Sequence, residues 1–330
     1  MRNLVDLALN FARGRFQQEF FRVVQALLAD EDSAYYHLAQ DVIANVDEDT
    51  LVTYGINLGY NSFTRGAKII RQIEAEKQIN IPWSLSLALA EQCEPDRMKQ
   101  YHCIIEQGME LGIYAYMLYP QGGLSDCFAL AEGHPDCAFL LFCKGDALTE
   151  DAIRQAQRYH NMQISVALEE GTNTVCTALR KAKLLYAVHV EYSPECLEQV
   201  LDGTLLRRAE ECRSSFVFFH AEKPCTEAQW KTVYGYVCAT RKAQKQPTVA
   251  MDLLYDNMFI DSIISDDACA VAFGADGTLI QLPEWKRKAE YNIFRSSLYR
   301  ILLETQPKKD GDLNYETYKR NLVHLGDGAV

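Results

Sequence analysis

The sequence predicts an α/β protein in which parallel strands form a full or partial TIM-like (β/α) barrel behind a helical N-terminal extension. Three observations support this fold class. Seven short runs with strand character follow one another between positions 84 and 252, amphipathic segments separate most of them, and 330 residues suffice for one barrel-sized domain with an extension. A doubly wound open sheet is the alternative, because it uses the same alternation of strands and helices.

Composition and charge exclude several classes of protein. Hydrophobic residues make up 48% and charged residues 24% of the chain, which is typical of a soluble globular protein. The formal net charge of −12 leaves no basic field for a phosphate backbone, so we do not expect nucleic acid as a partner. No run of 18 apolar residues occurs and the first residues lack a signal-peptide core, so we expect a cytoplasmic protein with no membrane partner.

The elements begin with an N-terminal helical region. Apolar residues recur at helical spacing over roughly the first 45 residues, and a loop rich in glycine and asparagine follows, which begins TYGINLGYN at Thr53. A charged helix then ends before Pro82. This pattern divides the chain into an extension with a lead-in loop (1–80), the barrel (81–285) and a C-terminal helix and tail (286–330).

Period-2 alternation identifies the strands from Trp83 onward. In SLSLAL, Ser84 and Ser86 alternate with leucines, as in a strand with one apolar face. The predicted strands are Ser84–Leu89, Ile113–Tyr119, Ala138–Cys143, Gln163–Glu169, Leu185–Tyr192, Phe216–His220 and Thr248–Asp252. The predicted helices include Arg97–Leu111, Glu150–Tyr159, Pro194–Cys212 and Glu227–Lys245. A hairpin with Asp276-Gly277 at its turn follows, and a helix with a loose tail ends the chain.

The polar residues of these strands predict a polar barrel interior. One face of each barrel strand meets the outer helices and the other points inward. With the bulky apolar residues against the helices, the inward side chains are Ser84, Ser86, Gln163, Ser165, Glu169, His189, Glu191, Thr248 and Asp252, with His220 near the rim. Since an unpaired buried polar group costs about 1–3 kcal/mol, the interior should hold a ligand or a polar network that satisfies itself.

The eleven cysteines give no local metal or cluster motif. None of them falls in a CxxC or CxxxCxxC spacing, and an odd number in a cytoplasmic protein argues against a disulfide framework. We expect most of them to be buried free thiols. Cys93 stands alone in the short loop after the first predicted strand.

Several stretches, taken in order, resemble the radical S-adenosylmethionine (SAM) superfamily. ELGIYAYMLYPQGG (Glu110 to Gly123) resembles the second strand and the GGEP loop that receives the amino group of SAM. CKGDALTED (Cys143 to Asp151) is similar to the end of the family's third strand. ISVALEEG (Ile164 to Gly171) resembles the strand that carries the ribose contact. RGAKIIR together with INIPW resembles the lead-in segment of one subgroup. The resemblance implies a barrel of radical SAM type, with Gly122, Gly123 and Glu169 at positions where the family contacts SAM.

The chain departs from this family where the chemistry occurs. The family binds a 4Fe–4S cluster through CxxxCxxC after the first strand, where this chain has AEQCEP with Cys93 only. One thiolate cannot hold such a cluster. The GGEP loop is reduced to Gly122-Gly123-Leu124-Ser125, and Ala167 stands where the fourth strand's serine is expected. The resemblance therefore implies a radical-SAM-like barrel that has lost its iron–sulfur cluster.

Three functional hypotheses follow. The first is a pseudoenzyme that binds a small molecule, a peptide or a partner protein, such as an active radical SAM relative, as a scaffold, carrier or accessory protein. Its ligand-binding candidates are Ser84, Ser86, Gly122, Gly123, Gln163, Ser165, Glu169, His189, Glu191 and Asp252.

The second hypothesis is a repurposed barrel enzyme that catalyses hydrolysis or isomerisation. Its candidate acid–base residues are Glu169, His189, Glu191, His220 and Asp252. Of these, His189, Glu191 and His220 could hold a divalent metal. The third hypothesis is SAM binding without radical cleavage, at Gly122, Gly123 and Glu169. Under the first hypothesis no cofactor is expected.

Overall fold

A ten-stranded sheet forms the centre of the protein in the computed structural model, which describes residues 32–221, 225–265, 267–282 and 285–308. Its strand order is β10-β9-β8-β1-β2-β3-β4-β5-β6-β7. Strands β1 to β7 are parallel to their neighbours, β8 is parallel to β1, and β9 and β10 are antiparallel. The strands are β1 (Ser84–Leu89), β2 (Ala115–Pro120), β3 (Ala138–Cys143), β4 (Met162–Ala167), β5 (Tyr186–Tyr192), β6 (Phe216–Ala221), β7 (Val249–Asp252), β8 (Val271–Phe273), β9 (Thr278–Gln281) and β10 (Lys286–Asn292).

This strand order confirms the α/β class and the parallel sheet, but the sheet is open. A closed barrel would need a pairing between β7 and β1, and β8 of the hairpin takes the place beside β1 instead. The alternative of a doubly wound open sheet is right about the open sheet but wrong about the strand order, which follows the chain from β1 to β7 without a reversal. With right-handed crossovers, such an order puts the connecting helices on one face of the sheet.

Helices cover that face, which we call the outer face, although the helix Leu253–Ile264 also contacts the opposite face through Leu253 and Asn257. The helices are α1 (Ala34–Asn45), α2 (Glu48–Ile56), α3 (Ala67–Lys77), α4 (Pro95–Glu110), α5 (Ser125–Gly133), α6 (Glu150–Ala156), α7 (Thr172–Lys181), α8 (Leu197–Leu201), α9 (Thr204–Glu211), α10 (Glu227–Ala243), α11 (Leu253–Ile264) and α12 (Leu298–Thr305). Several begin at a side-chain cap: Thr149 for α6, Thr226 with Gln229 for α10, and Asp252 for α11. No helix in the described ranges is sufficiently long and apolar to cross a bilayer.

The two faces of the sheet bury different sets of side chains. The outer face carries the large core, in which Leu85, Leu87 and Val166 are fully buried against the helices. The opposite face, the inner face, has a smaller apolar cluster of Met117, Phe142, Ala187 and Phe218, flanked by Tyr119, Leu140, Phe216, Met251 and Leu253. The interior is therefore mixed, with polar side chains on β1, β4 and β5 and apolar ones on β2, β3, β6 and β7.

The segment expected to be a loop rich in glycine and asparagine is helical. Residues Asn57–Gly66 form a π-helix between α2 and α3. The side-chain amide of Asn57 donates to the carbonyl oxygens of Pro135 (2.7 Å) and Cys137 (2.9 Å), and that of Asn61 donates to Asp136 (3.0 Å). These long-range hydrogen bonds fix a segment whose composition alone favours a loop.

The other predicted elements agree closely with the structure. Each of the seven predicted strands is present within two residues at either end, and the hairpin turns at residues 274–277. Pro194–Cys212, predicted as one helix, is divided into a short 3₁₀ turn, α8 and α9, since Gly203 has a φ of +78° between the two helices. The expectations for residues 1–31 and 309–330 lie outside the described residues, and the domain boundaries stay predictions.

Candidate functional site

A polar cleft of about 950 Å³ opens at the carboxyl ends of β2, β3 and β5. Parallel α/β proteins place their binding sites at this edge of the sheet. The loop after β2 supplies Gly122 and Gly123, and the loop after β3 supplies Lys144. His189 and Glu191 enter from β5. Both predicted glycines and two predicted polar side chains thus line one space, which we call the cleft.

A smaller apolar cavity of about 160 Å³ adjoins the cleft. It lies among the inner sides of β1 and β2, the end of β6, the start of α11 and the β8–β9 hairpin. Tyr119 lines both the cleft and this cavity. The other lining residues are Ser86, Ala88, Met117, His220, Leu253, Leu254, Asn257, Ala272, Phe273, Ile280, Leu282 and Trp285.

His189 is a neutral, oriented imidazole in the wall of the cleft. Its Nδ1 lies 3.1 Å from the hydroxyl of Ser165 on β4, and its ring meets Phe142 edge-on, with 5.2 Å between the ring centroids. Burial, with a smaller contribution from His220, lowers the pKa of His189 to about 4. At neutral pH the ring can therefore donate or accept a proton in a hydrogen bond without carrying charge.

Glu191 and His220 stand side by side on β5 and β6. The two residues are direct partners in the strand register. The imidazole of His220 lies against Trp285, with 5.3 Å between ring centroids, and burial lowers the pKa of His220 to about 4. The sheet thus places an exposed carboxylate in the cleft next to a half-buried neutral imidazole in the wall of the apolar cavity.

Other predicted residues are satisfied within the protein. Ser84 donates to the side-chain oxygen of Asn257 (2.9 Å), and Gln163 donates to the hydroxyl of Ser215 (3.5 Å). Ser86 contacts the sulfur of Met117 at 3.7 Å and lines the apolar cavity. Ser84, Gln163 and Ser165 are buried and line neither space, which agrees with a polar network that satisfies itself in this part of the interior.

Glu169 lies outside the cleft. Its side chain is 57% exposed, and its carboxylate is 3.9 Å from the ammonium of Lys144. The structure therefore separates Glu169 from His189 and Glu191, with which the sequence grouped it, and an ion pair this exposed contributes little to stability.

The inward orientation predicted for Thr248 and Asp252 is wrong. Met251 packs in the inner cluster, whereas Ala250 belongs to the outer core, so the alternation of β7 places Thr248 and Asp252 on the outer side. The carboxylate of Asp252 caps α11 by accepting the N–H groups of Leu254 (3.1 Å) and Tyr255 (2.8 Å). Burial raises the pKa of Asp252 to about 7.

The two glycines after β2 have different roles. A Cβ on Gly122 would lie 2.0 Å from the carbonyl oxygen of Glu91, so this glycine allows the loops after β1 and β2 to touch. A Cβ on Gly123 would meet nothing within 4 Å. Of the two, Gly123 is the one that leaves room for a ligand.

Sequence reasoning missed the aromatic side chains of the site. Tyr119 stacks on Phe142 with 4.7 Å between ring centroids and an angle of 5° between the rings. Burial raises the pKa of Tyr119, which keeps the hydroxyl protonated. The one available signal was position, because Tyr119 ends the second predicted strand directly before the glycine loop. Nothing local in the sequence indicated that Trp285 would close over His220.

The loop after β1, where the resemblance places a 4Fe–4S cluster, holds a single cysteine, Cys93. Cys93 donates its backbone N–H to Asp126 (3.2 Å), and burial together with Asp126 raises the pKa of the Cys93 thiol to about 11. Burial also raises the pKa values of the neighbouring thiols Cys127 and Cys143, which belong to the outer core. The loop after β1 supplies one thiol, whereas such a cluster is held by several cysteine ligands.

The predicted metal ligands do not form a compact set. Of the side chains that the structure describes, the metal-type ligand atoms of Asp47, Asp49 and His160 lie within 4.8 Å of one another, and those of His189, Glu191 and His220 do not form such a group. Asp47 already caps α2 through Thr50, and His160 bonds to the same threonine at 2.9 Å. These hydrogen bonds explain the first group without a metal.

Comparisons with known proteins give a match in fold and none in sequence. No protein-family model and no curated protein matches the chain. Three crystal structures of SuiB from Streptococcus suis, a radical SAM enzyme, match with a TM-score of 0.53 at 9–10% sequence identity. One of them is bound to the precursor peptide SuiA and another to SAM. The match covers 76% of this chain and 70–72% of SuiB, so the chain is similar to SuiB in fold.

Proposed function

We propose that the protein is a radical-SAM-like pseudoenzyme, with a partial barrel and no iron–sulfur cluster, that binds a small molecule in the cleft. The observation that carries this proposal is the cleft itself, about 950 Å³ of polar-lined space at the carboxyl edge of the parallel strands. Its volume lies within the range of small-molecule sites, roughly 300–1,000 Å³. The single cysteine in the loop after β1, Cys93, supports the absence of radical chemistry.

The fold match is compatible with more than one kind of occupant. SuiB has been crystallised with SAM and with a precursor peptide. A small molecule is favoured here because the convergent groups, Gly123, His189 and Glu191, lie inside one concavity and not along an extended surface. A peptide or a partner protein, including an active radical SAM relative, would extend beyond the cleft and would serve a scaffold or carrier role.

The variant Gly123→Leu tests small-molecule binding. A leucine at this position would occupy part of the space that Gly123 lines, and its Cβ would meet no atom within 4 Å. We expect at least one compound in a panel of amines, amino acids, nucleosides and carboxylates to raise the Tm of the wild-type protein but not that of Gly123→Leu. Gly59→Leu, at an exposed position with the same open surroundings, is the matched control. A panel in which no compound distinguishes Gly123→Leu from wild type would contradict the proposal.

Anaerobic reconstitution with iron and sulfide tests the loss of the cluster. We expect the desalted protein to retain no stoichiometric iron or sulfide, since one thiol cannot anchor the cluster. A broad visible absorbance band with stoichiometric iron and sulfide after desalting would refute this part of the proposal.

A second candidate function is acid–base or metal-assisted catalysis, which the pair of Glu191 and His220 favours. A carboxylate beside a neutral imidazole, with His189 nearby, can accept and return a proton. His189→Gln and His220→Gln would then abolish turnover of a hydrolysable or isomerisable substrate, and metal analysis of the isolated protein would show whether a divalent ion takes part. Unchanged turnover in both variants would exclude this function.

Binding of SAM without cleavage is the third candidate, favoured by the position of Gly123 in the cleft. Glu169 gives it less support, because its carboxylate points to solvent beside Lys144. Titration calorimetry with SAM distinguishes this candidate: a heat of binding that disappears in Gly123→Leu supports it, and no heat at high SAM concentration excludes it.

A further inference from the structure

We propose that the ligand is an amine that carries an aromatic or branched aliphatic group, with the apolar group in the cavity and the ammonium at Glu191. This inference rests on the proposed small-molecule function and names the chemical class of the ligand.

The volume of the apolar cavity sets the size of the apolar group. The cavity is partly open to solvent, so other side chains do not fully cover its apolar walls. At about 160 Å³ the cavity is close to the volume of an engineered cavity, about 150 Å³, that binds benzene. Its walls are made chiefly by Ala88, Met117, Leu253, Ala272, Phe273 and Ile280. A ring or a branched chain of about six heavy atoms would restore the missing contacts.

Tyr119 connects the cavity to the cleft and places a carboxylate at the junction. The side chain of Tyr119 lines both spaces, and the charge of Glu191 is close enough to raise the pKa of its hydroxyl. Glu191 is also the direct strand partner of His220, which lines the cavity. A ligand whose apolar group passes Tyr119 into the cavity would therefore present its polar end to Glu191.

The charges around the cleft favour a cationic polar end. Asp146, Asp151 and Glu191 contribute three carboxylates, and Lys144 contributes one ammonium that lies 3.9 Å from Glu169. His189 adds no positive charge, since burial keeps its imidazole neutral. An ammonium thus gains from the surrounding potential, whereas a carboxylate or phosphate would be repelled.

Three probes test both halves of this inference by titration calorimetry. They are 2-phenylethylamine, its anionic counterpart 3-phenylpropionate, and benzene. We expect wild-type protein to bind 2-phenylethylamine at least tenfold more tightly than 3-phenylpropionate. Benzene should bind as well, because the cavity alone recognises the ring. Equal affinity for the two charged probes would overturn the inference about charge without any variant.

Two variants separate the cavity from the carboxylate. Ala88→Leu should fill the cavity and weaken binding of benzene and 2-phenylethylamine by tenfold or more, while Glu191→Gln should weaken 2-phenylethylamine alone. The matched controls are Ala75→Leu and Glu170→Gln, at exposed positions away from both spaces, and Ala272→Met is a second cavity-filling variant if Ala88→Leu does not fold.

The outcomes distinguish this inference from the proposed function. If a panel compound binds in a manner that depends on Gly123 while benzene and 2-phenylethylamine do not bind, the inference about the cavity is overturned and the proposed function stands. If both probes bind but are insensitive to Ala88→Leu and Ala272→Met, their site lies elsewhere and the inference is again overturned.

Discussion

At the scale of single residues, Gly122 and Gly123 show how neighbouring glycines can serve different ends. The sequence assigned both to ligand approach, because a glycine pair after a strand permits it. In the structure Gly122 abuts the backbone of Glu91, and Gly123 faces open space. The difference depends on where the loop after β1 lies, which no local pattern in either loop reveals.

Gly122→Ala should destabilise the protein and Gly123→Ala should not. The added Cβ at position 122 would lie 2.0 Å from the carbonyl oxygen of Glu91, so one loop has to move. We expect Gly122→Ala to lower the free energy of unfolding by about 2 kcal/mol or more, and Gly123→Ala to change it by less than about 0.5 kcal/mol. Urea denaturation measures both. Equal stability of the two variants would show that the loops adjust freely.

His189 should make stability fall as the pH decreases below 6.5. Its pKa is about 4 in the folded protein and about 6.5 in the unfolded chain, so between these values the unfolded chain binds more protons. The contribution of the neutral ring is complete above pH 6.5 and decreases towards pH 4, by up to about 1.4 kcal/mol per pH unit. His189→Gln should weaken this dependence without removing it, because burial also lowers the pKa of His220 to about 4 and so adds a contribution of the same sign. His37→Gln, at an exposed histidine on α1, should retain it in denaturation curves across this range.

Asp252 should make stability fall as the pH rises, which is opposite to the effect of His189. Burial raises its pKa from 3.8 to about 7, so the folded protein holds a proton that the unfolded chain releases. Stability from this group is complete below pH 3.8 and is lost as the pH rises to 7. Asp252→Asn keeps an oxygen to cap α11. Relative to wild type, its stability should increase as the pH rises from 4 to 7. A constant difference between the two proteins over this range would contradict the assignment.

At the scale of elements, the strands could be predicted from alternation and turn residues. Features that depend on contacts between distant segments could not be predicted. The leucines of β1 and the Asp276-Gly277 turn gave bounds that the structure confirms. On β7 the face was predicted wrongly, because Val249, Ala250 and Met251 are all apolar and nothing in the strand shows which side meets helices. The π-helix at Asn57–Gly66 depends on hydrogen bonds to residues 135–137, which lie far away in the sequence.

Asn57→Ala tests the contacts that fix the π-helix. The variant removes a part-buried hydrogen bond to the carbonyl oxygen of Pro135 (2.7 Å) and a buried one to that of Cys137 (2.9 Å). We expect a loss of about 1–3 kcal/mol in the free energy of unfolding, because the buried carbonyl oxygen of Cys137 loses this donor. Asn173→Ala, at an exposed asparagine on α7, should cost less than about 0.5 kcal/mol. Chemical denaturation measures both losses, and equal losses in the two variants would contradict the role of Asn57 in fixing the π-helix.

At the scale of the whole molecule, an open sheet has edges that must be protected from pairing with other chains. At the β10 edge, the seven residues include Lys286, Arg287, Lys288 and Glu290, and the pairing with β9 is irregular between Lys288 and Asn292. Charges and bulges are common means of protecting an edge strand. That β8 would join β1 and leave this edge outermost could not be predicted, because the pairing joins residues nearly 190 positions apart and has no local signature.

Replacing the charges on β10 should therefore promote self-association. We expect the double variant Lys286→Val with Glu290→Val to form dimers or larger species as its concentration rises, while the wild-type protein changes less under the same conditions. Sedimentation velocity measures this directly. Lys68→Val with Glu76→Val makes the same chemical change at exposed positions on α3, and association of both double variants would attribute the effect to hydrophobicity alone.

The position of β8 beside β1 also has a consequence for the order of assembly. The first seven strands and the cleft can form once synthesis has reached β7, but Ala272, Phe273 and Ile280 in the wall of the cavity come from the following hairpin. A nascent or truncated chain that stops before residue 270 would form the cleft without the complete apolar cavity beside it. The proposed site for an amine with an apolar group is thus completed last, when β8 of the C-terminal hairpin pairs with β1.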